Sequence, residues 1–179
     1  MKFVKDFKDF SKVSEGLKYH VENGHDLTDS VYRLGSDAYG DLFEEVKEYW
    51  DKGNIILKSK SGWMAKNLEV GKEAIYRPKG KPVVKVKLDT PERGGNKKFI
   101  VYHNSGKTDK QGNIIAKKIE WGDPNLTIKN DDPGRSASFW KRHKCDSREK
   151  MDPLKAGFWA CYGPSLFGKM LGLQSTNPW

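Results

Sequence analysis

"KKFIVYHNSGKTDKQGNIIAKKIEW", residues 97–121, is the stretch on which the fold turns. Successive side chains of a strand point to opposite sides, so Phe99, Val101 and His103 share one face and Ile100 and Tyr102 the other. The polar run GKTDKQGN (106–113) reads as a turn, and IIAKKIEW (114–121) returns as the second strand of a hairpin. Upstream, PVVKVKLD (82–89) alternates Val84, Val86 and Leu88 with Lys85 and Lys87, the signature of a half-buried strand, and PERGGN (91–96) is the turn that follows it. These three strands predict a small antiparallel sheet with a strongly positive edge, because residues 93–118 hold seven bases and one acid.

Outward from the hairpin the period changes to helical. GSDAYGDLFEEVKEYWDKG (35–53) has Ser36 as N-cap, Asp37 in the first turn, a stripe of Tyr39, Leu42, Phe43, Val46, Tyr49 and Trp50, and Gly53 as its end. Asp41, Glu44, Glu45 and Glu48 lie on the opposite, solvated face. SKVSEGLKYHVENG (11–24) offers Val13, Leu17, His20 and Val21 at helical spacing, with Gly24 as a stop. The opening MKFVKDFKDF sets Phe3, Phe7 and Phe10 on one stripe, either packed on its own domain or reaching a neighbour. Residues 53–82 lose periodicity around Ile55–Leu57 and Ala74–Tyr76 and read as a strand pair or an extended arm. Beyond the hairpin, Asp132 is an N-cap with Pro133 in the first turn of RSASFWKRHK. Pro153 separates that helix from KAGFWACYG, and SLFGKMLGL supplies a short apolar helix with Leu166, Phe167, Met170 and Leu171. The expected fold is α+β in three parts: an acidic helical segment 1–52, a basic antiparallel β part 53–125, and a helical segment 126–179 closing on the sheet.

The chain has 179 residues, enough for one domain, and only 36% are hydrophobic. Six Trp, seven Tyr and eight Phe offset that deficit, because large rings bury much area each. The net charge of +9 is uneven: residues 1–52 hold eight bases and twelve acids, and the rest holds 25 and 12. Such a dipolar chain suits docking on charged assemblies or polyanions. No long apolar run or charged-then-apolar leader is seen, so neither a membrane span nor a secretory signal is expected. Two cysteines suit a reducing cytoplasm and are too few for a disulfide scaffold.

Both cysteines fall in FWKRHKCDSREKMDPLKAGFWAC (139–161). Zinc would use His143, Cys145 and Cys161, but the spacing lacks the second close ligand pair of structural sites. A Cys145–Cys161 bridge needs only that the two segments cross, and it could form once the protein leaves the cell. Two buried thiols packed near Trp140 and Trp159 are the favoured reading, with Phe139 and Phe158 as further packing. Lys141, Arg142, Lys144, Arg148 and Lys150 interleave with rings as in single-strand binders, yet Asp146, Glu149 and Asp152 break the run. Arg93, Lys97, Lys98, Lys107, Lys110, Lys117 and Lys118 form the cleaner phosphate-binding footprint. No nucleophile elbow, zinc-protease helix or phosphate loop occurs. Asp123, Asp131 and Asp132 could bind a nuclease metal but are explained by turns and capping. No catalytic residue, cofactor or resident metal is expected.

The stretches LKYHVENGHDLTDSVYRLGSDAYGDLFEEVKEYWDKG, PERGGNKKFIVYH, WGDPNLTIK and DDPGRSASFWKRHKCDSREKMDPLKAGFWACYGPSLFGKMLGL together resemble a family of small proteins encoded by tailed phages, marine cyanophage-like ones especially. The likeness spans residues 17–173, and R-H-x-C with the later aromatic-Trp-Ala-Cys is its most specific element. The chain departs from the pattern at Tyr162-Gly163, where the family has a basic residue, which counts against a phosphate role there. The resemblance implies a virion protein associated with the head, contacting capsid, portal or connector subunits, made in the host cytoplasm and carried in the particle. The rival expectations are a DNA-binding protein packaged in the head and a metal-dependent phage nuclease.

Overall fold

A computed structural model describes residues 12–57, 59–126, 132–147 and 151–173. The elements run α1 (Glu15–Asn23), a 3-10 turn (Leu27–Asp29), α2 (Asp37–Asp51), α3 (Ser59–Asn67), β1 (Glu73–Tyr76), β2 (Val84–Lys87), β3 (Glu92–Arg93), β4 (Phe99–Thr108), β5 (Ile114–Trp121), α4 (Pro133–His143) and α5 (Ala156–Phe167). The class is α+β. The chain divides into two compact units, Met1–Lys72 and Glu73–Trp179, so residues 53–72 fold with the N-terminal helices and not with the sheet. The stripe Phe3, Phe7, Phe10 and the tail 174–179 lie outside the described residues.

In the second unit, five strands are ordered β2-β1-β5-β4-β3. The β4–β5 hairpin pairs antiparallel from Phe99↔Trp121 to Thr108↔Ile114, with a bulge between Asn104 and Lys107. The sheet is mixed, not wholly antiparallel as expected, because β1 runs parallel to β5 through Ile75↔Ile115. Four residues, EAIY, are too few to show a period, and their parallel partner lies a whole hairpin downstream. Laid flat, the outer strands β2 and β3 would stand about 19 Å apart at ordinary strand spacing. Yet two residues beyond β2 the Asp89 amide already bonds the Tyr102 carbonyl of β4 at 2.8 Å. Two residues reach only about 7 Å, so the sheet must curl until its edges approach. Ala74, Leu88 and Ala116 are buried at the centre of the curl, with Val86, Tyr102 and Ile114 against them. Small side chains at 74 and 116 let the strands bend inward without overpacking.

Asp89 holds this crossing in place. It is fully buried and has a left-handed backbone (φ 49°), a conformation that Asp tolerates better than most residues. Its carboxylate meets the Nδ1 of His103 on β4 at 2.5 Å. On the outer face of the hairpin, Phe99, Val101, Ile119 and Trp121 are buried beneath α5. The helix after Pro153 runs on through Pro164 to Phe167, one element where two were expected. Proline costs a helix one backbone bond. Burial of Phe158, Trp159, Leu166 and Phe167, at about 1.5–3 kcal/mol each, outweighs it.

In the first unit, Ser14 caps α1 by accepting the Leu17 amide at 3.1 Å, and Gly24 closes it in the left-handed region. Glu45 of α2 accepts from the Ser14 amide at 2.8 Å, tying the two helices together. Ser36 caps α2, and Tyr39, Leu42, Phe43 and Val46 are its buried face. Tyr49 and Trp50, placed on that stripe by sequence, are only half-buried. Residues 59–67 are helical, correcting the strand-or-arm reading, because Met64, Ala65 and Leu68 return to the core at helical spacing. Gly71 has φ 84°, and a Cβ there would stand 2.7 Å from the Gly40 Cα, so only glycine allows the chain to pass α2.

His20 is the titratable weak point of this unit. It is 5% exposed, its Nδ1 lies 3.3 Å from the His25 carbonyl, and its buried Nε2 has no partner among the described residues. It lines a cavity of about 20 Å³ with Leu17, Val46 and Ile55. Burial lowers its pKa below the ordinary 6.5, outweighing the bond to the His25 carbonyl, which raises it. The unfolded chain therefore takes up the proton first, so stability present above pH 6.5 is lost as pH falls through the folded value. Urea midpoints measured on either side of that value are expected to fall with acidification in the wild type. The fall should be smaller in His20→Gln, and an equal fall in both proteins would exclude His20 as its cause.

Candidate functional site

The cysteine-bearing segment is a covalent clasp. Cys145 follows the end of α4, where Lys144 takes a left-handed backbone and turns the chain back. Cys161 lies in the middle of α5. Their Cα atoms are 5.6 Å apart and the sulfurs are bonded. This separation sits within the usual disulfide range. The favoured expectation of two buried thiols is thereby corrected. Sequence spacing could not reveal the crossing, because only the turn at Lys144 and the packing of α5 on the sheet bring the two segments together.

The rings sort by depth around the bridge. Trp159 is fully buried, 5.6 Å from Trp121 and 6.0 Å from Phe167, and its indole donates to the Pro153 carbonyl at 2.7 Å. Phe158 is buried against Trp159 edge-on at 5.1 Å. Trp140 is only half-buried and meets Tyr162 edge-on at 5.4 Å. The Tyr162 hydroxyl donates to the Cys145 carbonyl at 2.7 Å, so position 162 braces the bridge. His143 stays out of the staple: it is exposed and packs on Phe139 at 4.3 Å. No group of three metal-ligating side chains occurs among the described residues. Arg148 and Lys150 lie outside those residues.

The carboxylates weighed for a nuclease metal are turn and cap groups where described. Asp123 accepts the Asn125 amide at 2.8 Å, and Asp132 caps α4 by accepting the Arg135 amide at 3.1 Å. Asp131 lies outside the described residues.

The seven bases of the expected phosphate footprint do not form one patch. Arg93 lies over the Phe99 ring at 5.4 Å and donates to the Leu171 carbonyl at 3.3 Å. Lys98 donates to the Leu126 carbonyl and Lys117 to the Leu154 carbonyl, fastening loops to the sheet. Lys118 pairs with Glu120 at 3.1 Å. Glu120 also accepts the Asn96 amide at 2.8 Å, and these partners, the amide first, hold its carboxyl below the usual range. Gly95 makes that turn feasible, since a Cβ there would fall 2.1 Å from the Glu120 oxygen. Lys97 is exposed in this turn, whereas Lys107 and Lys110 are exposed at the other end of the hairpin. A ten-residue strand such as β4 separates those ends by about 30 Å.

Sequence reasoning missed a second group of bases that folding adds to Lys107 and Lys110. Between Tyr76 and Lys87 stand Arg77, Lys79, Lys81, Lys85 and Lys87 with no acidic residue. Arg77, just past β1, reaches Asp109 in the β4–β5 turn at 3.1 Å. The signal was present in RPKGKPVVKVK, but the loose pattern of 53–82 concealed that it belonged to the sheet.

Comparison with protein-family models, curated proteins and solved structures finds no match to this chain. No helix among the described residues is long and apolar enough to cross a membrane.

The bridge closes a loop of sequence separation 16, for which loop entropy gives about 3 kcal/mol. The Cys145→Ser/Cys161→Ser protein is expected to lose about that much stability in urea, and reduced wild type should lose the same. Unchanged midpoints after either treatment would remove the bridge from the forces that hold the clasp.

Proposed function

We propose that this chain is a structural protein of a tailed-phage virion, associated with the head and acting through contacts with capsid, portal or connector subunits. The observation that carries the reading is the Cys145–Cys161 bridge, which uses both cysteines of the chain to seal the aromatic layer over the sheet. A staple of this kind suits a protein that is made in a reducing cytoplasm and persists in an oxidising medium. The sequence resemblance over residues 17–173 points the same way. So does the uneven charge: residues 73–179 hold 21 bases and 11 acids, a net of +10, and residues 1–72 hold 12 and 13, a net of −1. A chain with its charge gathered in one part can meet a charged neighbour there and a different neighbour through its near-neutral part.

Purified particles of the encoding phage, analysed by mass spectrometry under non-reducing digestion, test the proposal. The expected result is recovery of the chain from particles, with the peptides around Cys145 and Cys161 still linked. Its presence in infected-cell lysate but absence from purified particles would overturn it.

A further inference from the structure

Where β1 lies beside the start of β5, one face of the sheet carries a concentration of lysines, and the registers place the charges. Ile75 pairs with Lys85 on one side and with Ile115 on the other, and Ile115 pairs with Lys107. Residues directly opposite across paired strands share a face, so Lys85, Ile75, Ile115 and Lys107 form one transverse row over four strands. Ordinary strand spacing sets the two lysines about 14 Å apart. The two isoleucines between them are half-buried. Lys79, Lys81 and Lys110 stand in the adjoining turns, and all five lysines are exposed. None of the five makes an ion pair among the described residues.

The turns are fixed and not loose tethers. In the first, the Lys81 amide bonds the Pro78 carbonyl at 3.3 Å and Gly80 supplies the positive φ. In the second, Asp109 accepts from the Gln111 and Asn113 amides at 2.9 Å each, and from the Asn113 side chain and Arg77 at 3.1 Å. These bonds, the Asn113 side chain first, hold the carboxyl below its usual range. The single acid of the patch is thus tied into the scaffold, while five lysines point outward.

We propose that this face of the sheet, with its adjoining turns, binds the phosphodiester backbone of nucleic acid, with Lys79, Lys81, Lys85, Lys107 and Lys110 as the contacts. Lysine is a point charge that suits phosphate without reading sequence. Protein-binding surfaces are depleted of lysine and enriched in large rings. Here the lysines dominate and the nearest ring pair, Tyr76 and Tyr102 at 5.2 Å, is half-buried. An acidic protein partner is therefore the less fitting occupant. The site is distinct from the clasp and does not depend on where in a particle the chain sits.

Fluorescence anisotropy with a short labelled DNA duplex, and separately with a single strand, tests it between about 50 and 200 mM salt. The wild-type chain should bind both, with affinity falling steeply as salt rises. In Lys79→Gln/Lys81→Gln/Lys85→Gln the duplex affinity is expected to drop at least about ten-fold at the lowest salt, and the log–log salt slope to shrink by about 2.7. The turn pair Lys79→Gln/Lys81→Gln should shift both in the same direction, with a slope change of about 1.8. Arg77 is spared because it pairs with Asp109. Lys97→Gln/Lys141→Gln/Lys144→Gln removes equal charge from exposed positions elsewhere and should leave the slope near the wild type. Thermal midpoints establish that each variant is folded. Three outcomes overturn the proposal: no binding to either DNA at low salt, equal loss in the control triple, or binding to polyglutamate or a second copy of the chain in place of DNA.

Discussion

The constraint on which the sheet unit depends is the crossing at Leu88 and Asp89, where the chain leaves one edge of the sheet and reaches the other within two residues. Leu88 enters the core between Ala74 and Ala116, and Asp89 bonds β4 through both its amide and its carboxylate. A buried carboxylate is costly unless paired, and the His103 ring beside it meets that need. The polar pair therefore fixes which residues cross, while the apolar contact draws the edges together. Neither alone would give a single register, because the β2 pattern of alternating Val and Lys can slide by two residues without changing its face.

Two surfaces follow from this curl. The outer face of β4 and β5 becomes a platform for α5, and the disulfide then ties that helix to the end of α4. Beside the start of β5, Lys85 and Lys107 fall in one row across the sheet and, with the lysines of the adjoining turns, make one basic surface. The clasp and the basic face thus share one scaffold but use different chemistry: burial and a covalent bond at one, exposed charge at the other. That separation lets a structural role and a phosphate-binding role sit on one small unit without competing for residues.

Local signals in the sequence were sufficient for most of the elements. Ser36, Asp132 with Pro133, and Gly24 act within a turn of their own position, so capping chemistry reveals them directly. The hairpin 97–121 carries its own alternation and its own turn. What escaped was non-local or short. The parallel pairing of Ile75 with Ile115 joins segments forty positions apart, and α3 buries Met64 and Ala65 amid polar residues, with Leu68 just beyond its end. The candidate site was legible in parts: Trp159 and Phe158 were rightly placed as packing, while His143 was drawn in by nearness in sequence to Cys145. The seven bases between 93 and 118 looked like one footprint because a linear count cannot show that a hairpin sends its two ends apart.

Hydrogen exchange of individual backbone amides in the native protein tests the crossing most directly. If it closes the sheet, the Asp89 amide should exchange as slowly as Val101 and Ile119 in the hairpin, opening only when the whole sheet unfolds. Exchange at Asp89 as fast as at the exposed turn residue Gly112, while the hairpin stays protected, would show that the sheet stands without it.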